Sequence, residues 1–528
     1  MERSNQVITD KEIQVRAFNN FIRNTFISST DFRFNRGNTS RVQGRYLLGP
    51  SFYFFKNNFY SVEYPVMNAV FESHLQKVEA PQGSGFQRMF LGGLSENDKA
   101  NTILKDHSMA EILSLNPSND TTRIILTVKG DYLFNLMRVE AGIEEFNTWF
   151  SGYLEKNKFR NISMKEFNND LYDKFSFSLE SYLYQWYNGK GQPGFLFTDI
   201  VVNEIVVGTR TRYRVSFTAS NPEQTAGIFN VSFRTGGRGP GGGRGMGGNV
   251  SISVTGGGRG NISMSMAGRG MQTNDVEKIV KLEAGQAKRI SVILDAEPRG
   301  MFVNTLFSLN NPGELQFPLM DVMEGKTDDN TEGEEILENI PLMYEDNEII
   351  VDNEDPGFNI YQEKSSGKLK EWLNIGRDDG NDYREMFTWW APEIWQKTVQ
   401  SIYYGEYVKS SVYTRAGSGE RNISWTAAIN EPGYYDIYTY IGKRGGQRMM
   451  FSRGGSRREA TQDLHFTIEH DDGSEEMILD WTNAEHGWNH LGSYYLSPDS
   501  ARVILTNQSD GRTVTGDAIK WVKQISYK

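Results

Sequence analysis

Cysteine is absent from all 528 residues. That excludes disulfides, a thiol nucleophile and thiolate-ligated zinc, and it leaves the compartment open. Histidine is scarce, with 6 residues at His74, His107, His465, His470, His486 and His490. None stands in a His-Glu-x-x-His pair, which needs two imidazoles on one helix face with a carboxylate base between them. His486 and His490 share an i, i+4 spacing, but Gly487 and the turn-rich setting argue for ordinary turn residues. No run approaches the roughly 18 apolar residues that cross a bilayer as a helix. Excess positive charge is missing too. A net charge of −11 and a pI near 5.3 argue against a general nucleic-acid or anionic-membrane binder. The start, Met1-Glu2-Arg3-Ser4-Asn5-Gln6, lacks the basic and apolar regions of a signal peptide, so any export route is expected from sequence upstream.

The length suffices for three ordinary domains, each with its own core. Before residue 75, Asp10-Lys11-Glu12 opens a short helical pattern and Gly44 to Phe54 looks strand-like. From Thr127 to Trp186 the apolar period is 3.6. Leu133, Leu136 and Met137 share a face, Gly142 reads as a stop, and Phe146, Trp149, Phe150, Tyr153 and Leu154 form a second stripe. Ser163-Met164-Lys165-Glu166 has the form of a capping box for a third helix through Phe175, and a fourth runs from Ser178 to Trp186. Residues 196–320 alternate as half-buried strands do, as in Tyr213-Arg214-Val215-Ser216-Phe217 and Phe229-Asn230-Val231-Ser232-Phe233. A Gly/Arg-rich insertion at 235–270 interrupts them and is expected to be mobile, except that Asn249 to Thr255 can pair as a hairpin. Residues 321–347 are strongly acidic and read as a solvated linker. Residues 348–528 are short aromatic and β-branched segments split by Gly, Asp and Asn turns, as in a sandwich. The fold class expected is multidomain α+β: a helical N-terminal region (1–195) followed by two antiparallel β-sandwich domains.

Two stretches carry family resemblances. Asp355-Pro356-Gly357-Phe358, Ile423-Ser424-Trp425, Gly433-Tyr434-Tyr435-Asp436-Ile437-Tyr438, Gly487-Trp488-Asn489-His490-Leu491-Gly492 and Gly516-Asp517-Ala518-Ile519-Lys520-Trp521-Val522 follow one another in order. That region resembles the golvesin C-terminal domain, also called the xanthan-lyase carbohydrate-binding-like domain, an appended module of bacterial surface proteins. Lys129-Gly130-Asp131-Tyr132 through Arg138, Gly142-Ile143-Glu144-Glu145-Phe146 and Gln185-Trp186 before Gly191-Gln192-Pro193-Gly194 are similar to the C-terminal helical part of aminopeptidase-N-type zinc metallopeptidases, over about 60–195. The zinc motif of that family matches no position here, so its catalytic residues are not carried over.

The function these resemblances imply is non-catalytic: a surface or polymer-binding protein, the C-terminal portion of a larger membrane-associated metallopeptidase-like protein, with an extracytoplasmic or cell-surface place. Alternatives are the C-terminal part of an active zinc aminopeptidase whose catalytic residues lie upstream, and nucleic-acid binding through the Arg-Gly loops. The loops lack the aromatic partners that stack on bases, which speaks against the latter. Gly325-Lys326-Thr327 ends like a phosphate loop, but Met320 stands where its first Gly belongs. No cofactor is expected, and the partner implied is a polysaccharide or other cell-surface polymer. Aromatic faces pack on the apolar side of a pyranose while polar neighbours take its hydroxyls. The carbohydrate-binding candidates are Trp481, His486, Trp488 and His490, with Trp481 favoured for exposure and Trp488 open to a core role. Asp352, Glu354 and Asp355, with Asp517 as a distant partner, are calcium candidates through hard oxygens, against a simple turn role.

Overall fold

The computed structural model describes residues 57–79, 94–115, 120–158, 160–207, 210–235, 250–253, 263–266, 276–319, 322–341, 347–361, 383–384, 386, 391–443, 463–498 and 501–524. The helix and strand expected before residue 57 lie outside these residues. So does the expected mobility of most of 235–270; its described portion is a two-stranded antiparallel hairpin, Val250–Ser253 with Ser263–Met266.

The first block is helical, as its 3.6-residue period predicts. Its axis is Asp120–Ala141, which buries Ile125, Leu126, Leu133, Phe134, Leu136 and Met137 completely. A Cβ on Gly130 would come within 3.2 Å of a Val70 methyl, so glycine there lets the helix Met67–Glu79 lie close. Gly142, at φ +83°, turns the chain into Ile143–Lys156 through a conformation that side chains disfavour. Ser163 caps Met164–Phe175, its Oγ accepting from the Glu166 N–H at 3.1 Å, while the Glu166 carboxylate turns to Arg160 at 3.2 Å. Glu180–Asn188 follows, and Trp186 donates its indole N–H to the Lys129 carbonyl at 2.9 Å.

The second block is a sandwich. One sheet orders Glu314–Pro318, Pro298–Asn304, Gly227–Thr235 and Val276–Leu282. The other is built on Leu196–Val207, Arg210–Asn221 and Gln286–Leu294. Alternation sends Val215, Phe217, Phe229, Val231, Phe233, Ile290 and Val292 into the shared core. Ile228, Ile279 and Phe307 point the other way and join the helical core instead.

The acidic stretch 321–347 does not fit the expected linker. Met323–Lys326 pairs in parallel with Leu196–Val207, and Gly333–Leu337 pairs with Gln286–Leu294, so this stretch supplies both edges of the second sheet. Its charge suits an edge strand facing water. Glu334 also meets Lys278 at 3.3 Å and Lys288 at 3.0 Å, partners that lie far away in sequence.

The third block packs Glu348–Val351, Ile519–Lys523, Gly433–Ile441 and Gly487–Leu496 as one sheet. A second contains Phe358–Tyr361, Asn422–Thr426, Arg502–Thr506, Asp463–His470 and Gly473–Asp480. Trp425 and Trp521 are fully buried between them. The α+β class with sandwich domains thus holds.

Two groups make the helical block testable. Asp98 accepts the Ser95 N–H at 2.8 Å within its own helix cap and the Gly313 N–H, also at 2.8 Å, from the neighbouring sandwich. Asp98→Ala leaves two donors unpaired and is expected to cost about 3 kcal/mol in denaturant unfolding; an unchanged midpoint would show the link to be idle. Lys129 is only 2% exposed, its ammonium 4.1 Å above the Phe307 ring, and burial pushes its pKa down to about 7. The unfolded lysine keeps its proton up to about 10.5, so stability should rise with pH between those values and stay level below them. Lys129→Met is expected to raise the thermal midpoint by several degrees and abolish that rise, whereas a lower midpoint would mean that the ammonium stabilises the fold through Phe307.

Candidate binding face

The strand Gly433–Ile441 turns Tyr435, Ile437 and Ile441 into the core. The two-residue period then places Tyr434, Asp436, Tyr438 and Tyr440 on the outer face. Its neighbour Gly487–Leu496 presents Trp488 opposite Tyr440, His490 opposite Tyr438, Ser493 opposite Asp436 and Tyr495 opposite Tyr434. His490 and Ser493 are three residues apart and would face opposite ways in a regular strand. A bulge between Ile437 and Tyr438 resolves this by sinking Leu491 into the core.

The result is a ladder of rings about 20 Å long, six residue steps at roughly 3.3 Å each. Tyr434 and Tyr495 meet edge to face at 5.4 Å. Tyr438 lies 5.1 Å from His490, and Tyr440 lies 5.2 Å from Trp488. Tyr404, from the loop before Ser410–Arg415, extends the row, 5.4 Å from Tyr440 and 5.0 Å from Trp488. Polar groups are set between the rings. Partial burial opposes ionisation of Asp436, but hydrogen bonds from Ser493 and Gln524, and then the His490 ring at 3.6 Å, hold its carboxyl below the usual range. Lys520 reaches out from the third strand, 5.0 Å from the Trp488 ring and 5.5 Å from Tyr438, and pairs with Glu348 at 2.8 Å. Burial pushes the Tyr440 hydroxyl pKa upward, so this phenol stays neutral and free to exchange hydrogen bonds.

Of the residues singled out from sequence, Trp488 and His490 lie on this face. His486 closes its end, 5.8 Å from Tyr440, with Nδ1 at 3.2 Å from the Lys443 nitrogen. Trp481, favoured for exposure, is half-buried against the sandwich core. The Lys443 ammonium sits 4.9 Å from its ring and binds the carbonyls of Trp481, Thr482 and Ala484. Trp481 lies in the turn after Gly473–Asp480, and its packing on the sandwich core is what covers a residue just past a strand. Tyr434, Tyr438 and Tyr440 were legible as an i, i+4, i+6 series on one face of a strand, with Asp436 at i+2; Tyr404 left no local signal.

The acidic candidates separate. Asp355 accepts the Asp352 N–H at 2.8 Å and serves the turn. Glu354 takes Ser410 Oγ at 2.6 Å, Lys397 at 2.8 Å and the Tyr383 hydroxyl at 3.1 Å. Asp352 and Asp517 are buried; burial, and then Asp355 and Glu354, push the Asp352 carboxyl up to about 8, and burial and Asp352 push Asp517 up as well. Among the described residues no three His, Asp or Glu side chains converge as a metal site.

Against known proteins, the chain is similar to the xanthan lyase of Paenibacillus at 16% identity, over 62% of this chain and 25% of that one, with a TM-score of 0.24. It is similar to a cycloisomaltooligosaccharide glucanotransferase of Paenibacillus sp. complexed with cycloisomaltoheptaose at 7% identity, over 61% and 71%, with a TM-score of 0.17. The chain therefore spans about a quarter of the length of the xanthan lyase. No curated protein matches it. The family model for the golvesin C-terminal domain matches residues 388–523, and the ring ladder, apart from its flanking partners Glu348 and Gln524, lies within this golvesin C-terminal domain.

Proposed function

We propose that the last sandwich binds a polysaccharide along the ring ladder, as the polymer-holding part of a non-catalytic surface protein. The observation that carries this reading is a sheet face on which Tyr434, Tyr438, Tyr440, Trp488 and Tyr495 alternate with Asp436, His490 and Ser493. Flat rings offer dispersion and CH–π contact to sugar faces, and carboxylate, imidazole and hydroxyl groups between them match hydroxyls. The golvesin match and the sequence resemblance to the xanthan-lyase carbohydrate-binding-like domain point the same way. The finer reading, a C-terminal portion of a larger membrane-associated metallopeptidase-like protein, is supported by the sequence resemblance of residues 60–195 alone.

The test compares two kinds of tryptophan. Trp488→Ala and Tyr440→Ala are each expected to weaken retention on bacterial capsular or cell-wall polysaccharide at least about tenfold, as loss of a central anchor does. Trp481→Ala is expected to lower the thermal midpoint and leave retention per folded molecule unchanged. Full retention by both face variants, with near-ultraviolet circular dichroism intact, would remove the ladder from consideration and favour a protein partner.

A further inference from the structure

At one end of the last sandwich, the register of Glu348–Val351 against Ile519–Lys523 pairs Val351 with Ile519. The next step outward sets Asp352 beside Ala518, so the carboxylates of Asp352 and Asp517 emerge from adjoining strands at the same sheet end. They are 7% and 3% exposed, and Asn353 between Asp352 and Glu354 is 2% exposed. Asp352 accepts from the backbone N–H groups of Asn353 and Glu354, and Asp517 Oδ2 accepts the Tyr404 N–H at 3.2 Å. The remaining oxygens, Asp352 Oδ1, Asp517 Oδ1 and Asn353 Oδ1, are buried and have no hydrogen-bond partner. Asn353 is fixed through its Nδ2, which donates to Ser410 Oγ at 2.6 Å.

Buried acceptors left without donors cost free energy, and two like charges in a dry site cost more. The nearby Lys409 ammonium attracts both carboxylates, but it hydrogen-bonds the Gly405 carbonyl at 3.3 Å and neither free carboxylate oxygen receives a hydrogen bond.

We propose that Asp352, Asn353 and Asp517 bind a hard divalent cation, calcium, through these three oxygens. All the free donors are oxygen and no imidazole is among them, which disfavours zinc. Calcium tolerates an irregular set completed by carbonyls and water, whereas magnesium demands a near-octahedral one and sheds water reluctantly. The site stands behind the ring ladder and meets it at Tyr404, whose N–H rests on Asp517, and at Tyr440, whose N–H donates to the Ala518 carbonyl at 2.9 Å.

The full chain, dialysed against chelator, is titrated with calcium chloride in a calorimeter and melted with and without millimolar calcium or magnesium. One calcium per chain is expected, with a dissociation constant on the order of 10⁻⁴–10⁻³ M or tighter, as in extracellular modules. A rise in thermal midpoint with calcium should exceed that with magnesium. Asp352→Asn and Asp517→Asn should each abolish the rise, and Asp355→Asn should keep it, since Asp355 serves the turn. No heat and no calcium-dependent midpoint in the unmodified chain would overturn the proposal even if a variant failed to fold. A calcium response that survives both Asp352→Asn and Asp517→Asn would overturn it too.

Discussion

Buried peptide groups must find partners, and in the loop between Pro298–Asn304 and Glu314–Pro318 that requirement joins three blocks of the chain. Asn310 closes a two-point pairing on the Phe195 backbone, at 2.9 and 2.8 Å, as a neighbouring strand would. Asn311 exchanges backbone hydrogen bonds with Tyr407 and Lys409 of the last sandwich, at 2.8 and 2.7 Å. Asn101 of the helical block donates to the Leu306 carbonyl at 2.8 Å, and Asn311 itself reaches Thr102. The loop is therefore a polar seam. Apolar packing of Ile228, Ile279 and Phe307 against the helices lies alongside it, so the helices and the first sandwich share a core.

The same seam bears on the binding face. Tyr407 and Lys409 lie in the loop that also carries Tyr404, so the end of the ring ladder is braced from behind by the first sandwich. Rings already packed against one another lose little rotamer freedom on meeting a ligand, which lowers the entropic cost of binding. Glu348–Val351, whose Glu348 pairs with Lys520, precedes the golvesin match, so the sheet that carries the rings begins before residue 388.

Local pattern was legible and distant partnership was not. The helices of 120–188 and the sandwich strands follow from apolar spacing, and Ser163 announces its cap. The acidic edge strands were hidden because composition registers charge and says nothing of the partners of Glu334, Lys288 on the neighbouring strand and Lys278 on the other sheet. Trp488 and His490 could be named from a turn-rich aromatic stretch, but whether a tryptophan faces out depends on the bulge and on Lys443, neither of which has a local signature. Asp517 was within reach as a distant carboxylate; its nearness to Asp352 comes from strand register.

The bulge opposite Leu491 has a consequence for association between molecules. Among the described residues, Gly487–Leu496 is the last strand in the order of its sheet. A long, flat edge of that kind invites a second chain to add a strand. The irregularity that aims His490 and Ser493 outward also bends this edge and increases its local twist, spoiling the template. A surface rich in tyrosine and tryptophan thus sits beside an edge that the bulge makes a poorer template for a further strand.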